Sequence, residues 1–382
     1  MPFLSGRLTC WRFRVKGRAP RSFGPDQLDQ LHNHRMGTQR QVSADGVQAG
    51  WVALDHILDT RFDLAKNVIN DALHFGLRVD TVAIPSDLLR AYTQVELEGL
   101  AAENPSGHPS SRQKRDAKQL ARERLEREAQ DGRFTRRRVF PILWDALSGE
   151  LLVGTTSVSA IDRLHPLFEA TFGLKLDMLG AGRQAFSQAE ASGQKRSVDD
   201  ARPSVFTAGA PSKLAWLPDE NNRDFIGNEF LLWLWYFLET EGESVPLSDG
   251  SKAEVTLART LSLECPRGQT GKESISSDGP TRLPEAHRAI QAGKLPRKVG
   301  LLLARHDQPY ELTLQAETLA ISGAKLTAPE GEEERARLEA RVGQIRHLLE
   351  TLDLLYQAFL ERRLGDAWTK ELGRMKKWLK AE

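Results

Sequence analysis

Apolar and polar positions alternate strictly across Trp11-Arg12-Phe13-Arg14-Val15, which predicts a half-buried strand with Arg12 and Arg14 on its polar face. Gly50-Trp51-Val52 and Leu73 to Val82 read as further strands. Val139 to Trp144 and Leu151 to Thr155 form a hairpin around Leu147-Ser148-Gly149-Glu150 by turn chemistry. Ser159 to Phe172 has helical spacing and stops at Gly173. Pro166 inside it predicts a kink, or a helix that starts there. Leu174 to Leu179 is a strand. From Ala185 to Asn222 large apolar residues thin out, which predicts a linker or mobile loop. Phe225 to Leu238 is apolar nearly all round, a buried helix. A strand carrying Val255, Leu257, Leu261 and Leu263 comes next, then a loop from Gly268 to Pro280. A short helix from Glu285 to Ala292, closed by Gly293, precedes strands at Val299 to Ala304 and Tyr310 to Leu314. A helix from about Glu332 to Leu364 places Leu338, Val342, Ile345, Leu349, Leu352, Tyr356 and Phe359 on a heptad seam. That seam packs on its own domain or forms a subunit interface. A last helix carries Trp368, Leu372, Met375 and Leu379. The whole reads as an α+β chain: antiparallel-rich sheets, a projecting helical tip and a C-terminal helical base. The parts are 1–83 plus 139–182 as a central region, 84–138 as the tip, 183–222 as the linker and 223–382 as the base.

The stretch from Ile84 to Thr156 carries the most chemistry. Pro85-Ser86-Asp87 starts a helix and Asn104-Pro105-Ser106-Gly107 stops it. Ser110 and Ser111 can cap a second helix that Gly132 can end. Between Arg112 and Arg138 there are eleven Lys or Arg residues and five acids, a local excess of +6. Arg115, Lys118 and Arg122 fall on one helical stripe, and Ala117, Leu120, Ala121 and Leu125 on a narrow apolar neighbour. Arg136-Arg137-Arg138 adds three like charges before a strand. A solvated face with Arg–Glu pairs is the plain alternative to a phosphate-binding surface.

Composition bounds these readings. The 382 residues suffice for two or three domains, and the net charge of +1 leaves nucleic-acid affinity to segregated patches. Two distant cysteines, Cys10 and Cys265, fit a reducing cytosol and no disulfide scaffold. The N-terminal stretch lacks a signal-peptide core, and the run Phe230 to Leu238 is too short to span a bilayer.

Several catalytic motifs fail on inspection. Gly268-Gln269-Thr270-Gly271-Lys272 has Pro266 where a phosphate loop needs glycine, and Glu273 where it needs a hydroxyl. Gly180-Ala181-Gly182-Arg183-Gln184-Ala185 mimics a dinucleotide fingerprint without a βαβ unit, so a turn is the better reading. His32 and His34 have no carboxylate cluster beside them, so no metal site is assigned. No catalytic residue and no cofactor is assigned.

The order of parts resembles the RdgC family of bacterial recombination-associated proteins. The matching stretches are Trp11 to Val15, Gly50-Trp51-Val52, Val82-Ala83-Ile84-Pro85 before a helix, and the basic helix from Arg112. Trp144-Asp145 with its Gly149 turn, Phe172-Gly173, and Ile290-Gln291-Ala292-Gly293-Lys294 before Val299 to Ala304 complete the set. Departures are the linker at Ala185 to Asn222, the insert at Glu241 to Thr281 and the extended C-terminal helix pair. The resemblance implies a cytoplasmic, nucleoid-associated protein without cofactor. It implies a ring-shaped homodimer that binds double-stranded DNA of any sequence and restrains RecA-promoted strand exchange. Arg115, Lys118, Arg122, Arg136, Arg137, Arg138, Lys294, Arg297 and Lys298 are the candidate DNA contacts. Phe134 is a candidate apolar contact between tips, and Leu349, Leu352, Tyr356 and Phe359 are candidate interface residues on the seam. A DNA-associated nuclease and a protein-interaction scaffold without DNA binding are the alternatives.

Overall fold

A computed structural model describes residues 3–38, 46–102, 108–191, 193–207, 214–217, 221–266, 272–280, 284–327 and 333–380. In chain order the elements are β1 (Leu8–Lys16), α1 (Pro25–Asn33), β2 (Val47–Val52), α2 (Leu64–Asn67), β3 (Val68–Ile69), β4 (Ala72–Val82), α3 (Ser86–Ala102), α4 (Ser111–Ala129), β5 (Thr135–Asp145), β6 (Glu150–Val153), α5 (Val158–Phe172), β7 (Lys175–Met178), α6 (Ala181–Ala191), α7 (Lys195–Asp200), α8 (Phe225–Thr240), β8 (Ser244–Pro246), β9 (Lys252–Glu264), β10 (Glu273–Pro280), α9 (Pro284–Gln291), β11 (Leu295–Arg305), β12 (Gln308–Gln315), β13 (Ile321–Lys325), α10 (Glu334–Arg363) and α11 (Trp368–Trp378). The fold is α+β, with every named strand pair antiparallel.

Strand β1 is the hinge of the architecture. Its first half, at Leu8 and Cys10, pairs with β13. Its second half, Trp11 to Lys16, pairs with β6 and β7. The strand order β10-β9-β11-β12-β13-β1-β6-β5-β4-β2 therefore runs unbroken from the base into the central region. One core joins Trp51, Phe75, Trp144 and Phe168 beside α5. The other gathers α8, α10 and the base strands, and it also takes Ile69, Ala72, Leu143 and Leu152 from the central region. The two regions thus share both a sheet and a core.

Several expectations hold and several are corrected. Helix α5 ends where Gly173 takes a left-handed φ of 66° and its N–H returns to Glu169 O. It begins at Val158 and runs through Pro166, so the proline does not start it. Arg12 does not face solvent. Helix α10 covers that side of β1, and Arg12 is buried between Glu150 and Asp353, with both guanidinium nitrogens 2.7 Å from Asp353. An arginine so placed must be paired, because an isolated buried charge is far costlier. Within 183–222, expected as a linker, α6 and α7 are folded and Ala185, Ala189 and Val198 are in the core. The loop expected up to Pro280 contains β10, an edge strand on β9. His32 lies in the last turn of α1, on neither a strand nor a loop as its sequence context allowed.

The buried helix is as expected, and every residue from Phe225 through Leu238 is inside. Its two polar members are held by partners, although Asn228 Oδ1 is buried without a hydrogen bond among the described residues. Asn228 donates to Pro296 O and Glu317, both at 2.7 Å, and Glu229 holds Arg363. The seam of α10 is consumed by this helix. Tyr356 and Phe359 pack their rings on Phe230, and Phe359 also packs on Trp233. Leu349, Leu352, Tyr356 and Phe359 are all buried within the chain. They are core residues, not the subunit interface that the heptad spacing allowed.

Candidate nucleic-acid interface

Helices α3 and α4 fold on each other and, among the described residues, have no extensive contact with any other element. The pairing follows from small residues. Ala117, Ala121 and Leu125 of α4 are buried against α3, whereas Leu120, expected on the same stripe, is exposed. Tyr92 donates to Glu128 at 3.0 Å, and Arg124 lies 4.2 Å over the tyrosine ring. Gln113 donates to Leu100 O at 3.3 Å near the tip. Ser110 caps α4 as expected: it accepts from Gln113 N, and Gln113 accepts in return from Ser110 N at 2.8 Å. Gly132 lies in the turn after α4 at φ 83°. The helix stop assigned to Asn104-Pro105-Ser106-Gly107 lies outside the described residues.

The hairpin stands on the β4–β5 ribbon, paired from Val82 and Thr135 at its root down to Ala72 and Asp145. Arg136, Arg137 and Arg138 are at that root, all exposed. Successive strand residues face opposite sides, so Arg136 and Arg138 share one face and Arg137 takes the other. Arg137 approaches Asp80 at 3.7 Å, and Arg78 already binds that carboxylate through two nitrogens. The triplet is therefore two cations on one face and a partly neutralised third behind.

On α4 the pairing is also uneven. Arg122 binds Glu126 at 3.0 Å, Arg124 approaches Glu128, and Arg112 approaches Asp116. Arg133 clamps Asp131, which draws that carboxyl below its ordinary range. Among the described residues no ion pair holds Lys114, Arg115, Lys118, Arg136 or Arg138, and all five are exposed. Three lie in the first half of α4 and two at the ribbon root. The helical group from Lys114 to Lys118 spans about 6 Å at 1.5 Å per residue.

The base residues do not join this row. Lys294 is buried and bound to Glu273. Arg297 is clamped by Glu264 at 2.9 Å and Glu317 at 2.6 Å, and stacks on Trp216 at 4.4 Å. Both are internal struts, corrected from DNA contacts because their charge is spent on acids of the same chain. Lys298 alone of the three is exposed. Phe134 is half-buried at the hairpin root, where its carbonyl accepts from Ala83 N.

The two nucleotide-loop mimics fare differently. The N-terminus of α6 is occupied by the chain itself: Gly182 N donates to Asp224 at 2.9 Å, and burial raises that carboxyl's pKa. The glycines of the other, Gly268 and Gly271, lie outside the described residues. Among the described residues there is no group of three or more His, Cys, Asp or Glu placed to hold a metal. No helix among them is long and apolar enough to cross a membrane. No protein-family model matches the chain, and no curated protein matches it either.

Proposed function

We propose that this protein binds double-stranded DNA without sequence preference through the α3–α4 hairpin and its root. The observation that carries the reading is the row Lys114, Arg115, Lys118, Arg136 and Arg138, exposed and free of ion pairs among the described residues on an element that projects from the core. Cations arranged along a helix and a ribbon meet phosphates and read no bases. Affinity then comes from counterion release. The resemblance of the sequence to the RdgC family supports the wider proposal: a nucleoid-associated, ring-shaped homodimer that restrains RecA-promoted strand exchange. In that proposal the dimer contact moves from the α10 seam to the hairpin, where Val82, Leu88, Val95 and Leu120 are exposed. Phe134 stays a candidate there.

The deciding experiment is a salt titration of duplex binding. Five phosphate contacts give a slope of about −4.5 in log affinity against log salt, at about 0.9 per contact. Unrelated duplexes should compete within about a hundredfold of one another. A salt-independent interaction, or none, defeats the reading and favours a protein-interaction scaffold.

A further inference from the structure

The solvent face of the base sheet carries a pocket of about 230 Å³, away from the hairpin, with Arg7, Arg259, Thr260, Thr313 and Ser322 in its lining. Its construction is unusual. Opposite β11, the register of β9 jumps: Val299 pairs with Leu261 but Leu301 pairs with Leu257. Two extra residues are therefore forced out as a bulge, and Arg259 sits in it with a left-handed φ of 60°. Gly300 makes room, since a Cβ there would lie 1.9 Å from Ala258 O. With no side chain at Gly300 in the way, Arg259 crosses β11 and reaches Glu311 on β12 at 2.7 Å. Arg7 approaches the same carboxylate oxygen at 3.7 Å.

Two guanidinium groups thus converge on one oxygen, and each side chain is more than half exposed. Lys325 pairs across from Glu311 in the β12–β13 register. Lys298 is exposed two residues from Gly300 and so on the same sheet face. Two arginines and the cross-strand Lys325 thus gather at a single carboxylate, and Lys298, opposite Gln315, adds positive charge farther along the same face. Glu243 and Glu254 line the adjoining groove and bound the cationic end. A bulge re-aims side chains, and a non-glycine residue held at positive φ costs energy that a plain structural strand avoids.

We propose that this pocket binds a phosphate oxyanion, with Arg7 and Arg259 forking its oxygens and the lining hydroxyls donating to the rest. Glu311 is the internal stand-in that holds the arginines in place until the anion displaces it. The phosphate belongs either to a nucleic-acid backbone or to a free phosphate compound. The pocket does not depend on the hairpin reading.

Calorimetry with inorganic pyrophosphate at low ionic strength tests it. Wild type should bind. Arg259→Gly should weaken binding by about tenfold or more, since it removes a charge-assisted fork. Glycine suits the left-handed φ, so this variant should melt no lower than wild type. Glu311→Gln should act in the opposite direction and tighten binding. No binding by wild type, or equal affinity in all three proteins, overturns the pocket. A duplex titration on the same proteins identifies the source. A salt slope reduced by about 0.9 in Arg259→Gly assigns a backbone phosphate. An unchanged slope with lost pyrophosphate binding assigns a free phosphate compound, and the pocket stands in either case.

Discussion

Arg136, Arg137 and Arg138 are adjacent in sequence and divided in space. The pleat sends the outer two to one face, and Asp80 engages the middle one at 3.7 Å on the other. Their contributions to DNA binding should divide in the same way. The double variant Arg136→Ala/Arg138→Ala should weaken every duplex alike and reduce the salt slope by up to about 1.8, two contacts' worth. Arg137→Ala should change the slope less. Melting temperatures should barely move, because exposed substitutions usually shift stability by about 0.5 kcal/mol or less. Equal slopes in the double variant and wild type, both folded, would remove the ribbon root from the interface. Residue type and local charge excess were visible in the sequence; pairing was not. Lys294 and Arg297 look as basic as Lys298 in the linear chain. Only folding brings Glu273, Glu264 and Glu317 onto them. Arg259 is equally indistinct in the linear chain: its environment is made by a register jump and a glycine on another strand.

At the scale of elements, the hairpin is a detachable unit. Among the described residues helices α3 and α4 pack extensively only on one another, while β4 and β5 stay paired up to Val82 and Thr135. Replacing residues 84–133 by a two-residue Asn-Gly turn should close the ribbon as an ordinary hairpin, since that dipeptide fits the required turn. The shortened protein should keep its cooperative melting and near-ultraviolet circular dichroism, and lose most of its duplex affinity. A shortened protein that binds DNA with the wild-type slope would place the interface elsewhere. Element signals of this kind were legible where caps and periodicity are strong, as at Ser110, Gly173 and the seam of α10. They failed where apolar positions are small. Helix α6 buries Ala181, Ala185 and Ala189, four residues apart, in a stretch that looks polar because alanine carries little hydrophobic weight. Strand β13 is Ile-Ser-Gly-Ala-Lys, and β10 is an edge strand rich in serine. Neither shows a marked alternation of large apolar residues.

At the scale of the molecule, the long C-terminal helix is the clamp that holds base to centre. Arg346 binds Asp145, Arg335 donates to Ala65 O and Val68 O, and Asp353 binds the buried Arg12. Its heptad seam could not be assigned from spacing, because intrachain and intersubunit packing want the same apolar repeat. Burial decides it: Phe359 lies among Phe230, Trp233, Tyr356 and Trp368 of its own chain. Phe359→Ala should therefore cost about 3–5 kcal/mol through the cavity it leaves. Its melting temperature should fall without acquiring a dependence on protein concentration, which an interface residue would confer. The hairpin predicts the reverse. Val95→Asp/Leu120→Asp places charge on exposed positions, so the fold should persist, and under the dimer proposal the mass by light scattering should fall from two chains to one. Wild type that scatters as a monomer at micromolar concentration would remove the ring. A Phe359→Ala protein that stays fully stable but turns monomeric would return the interface to the seam.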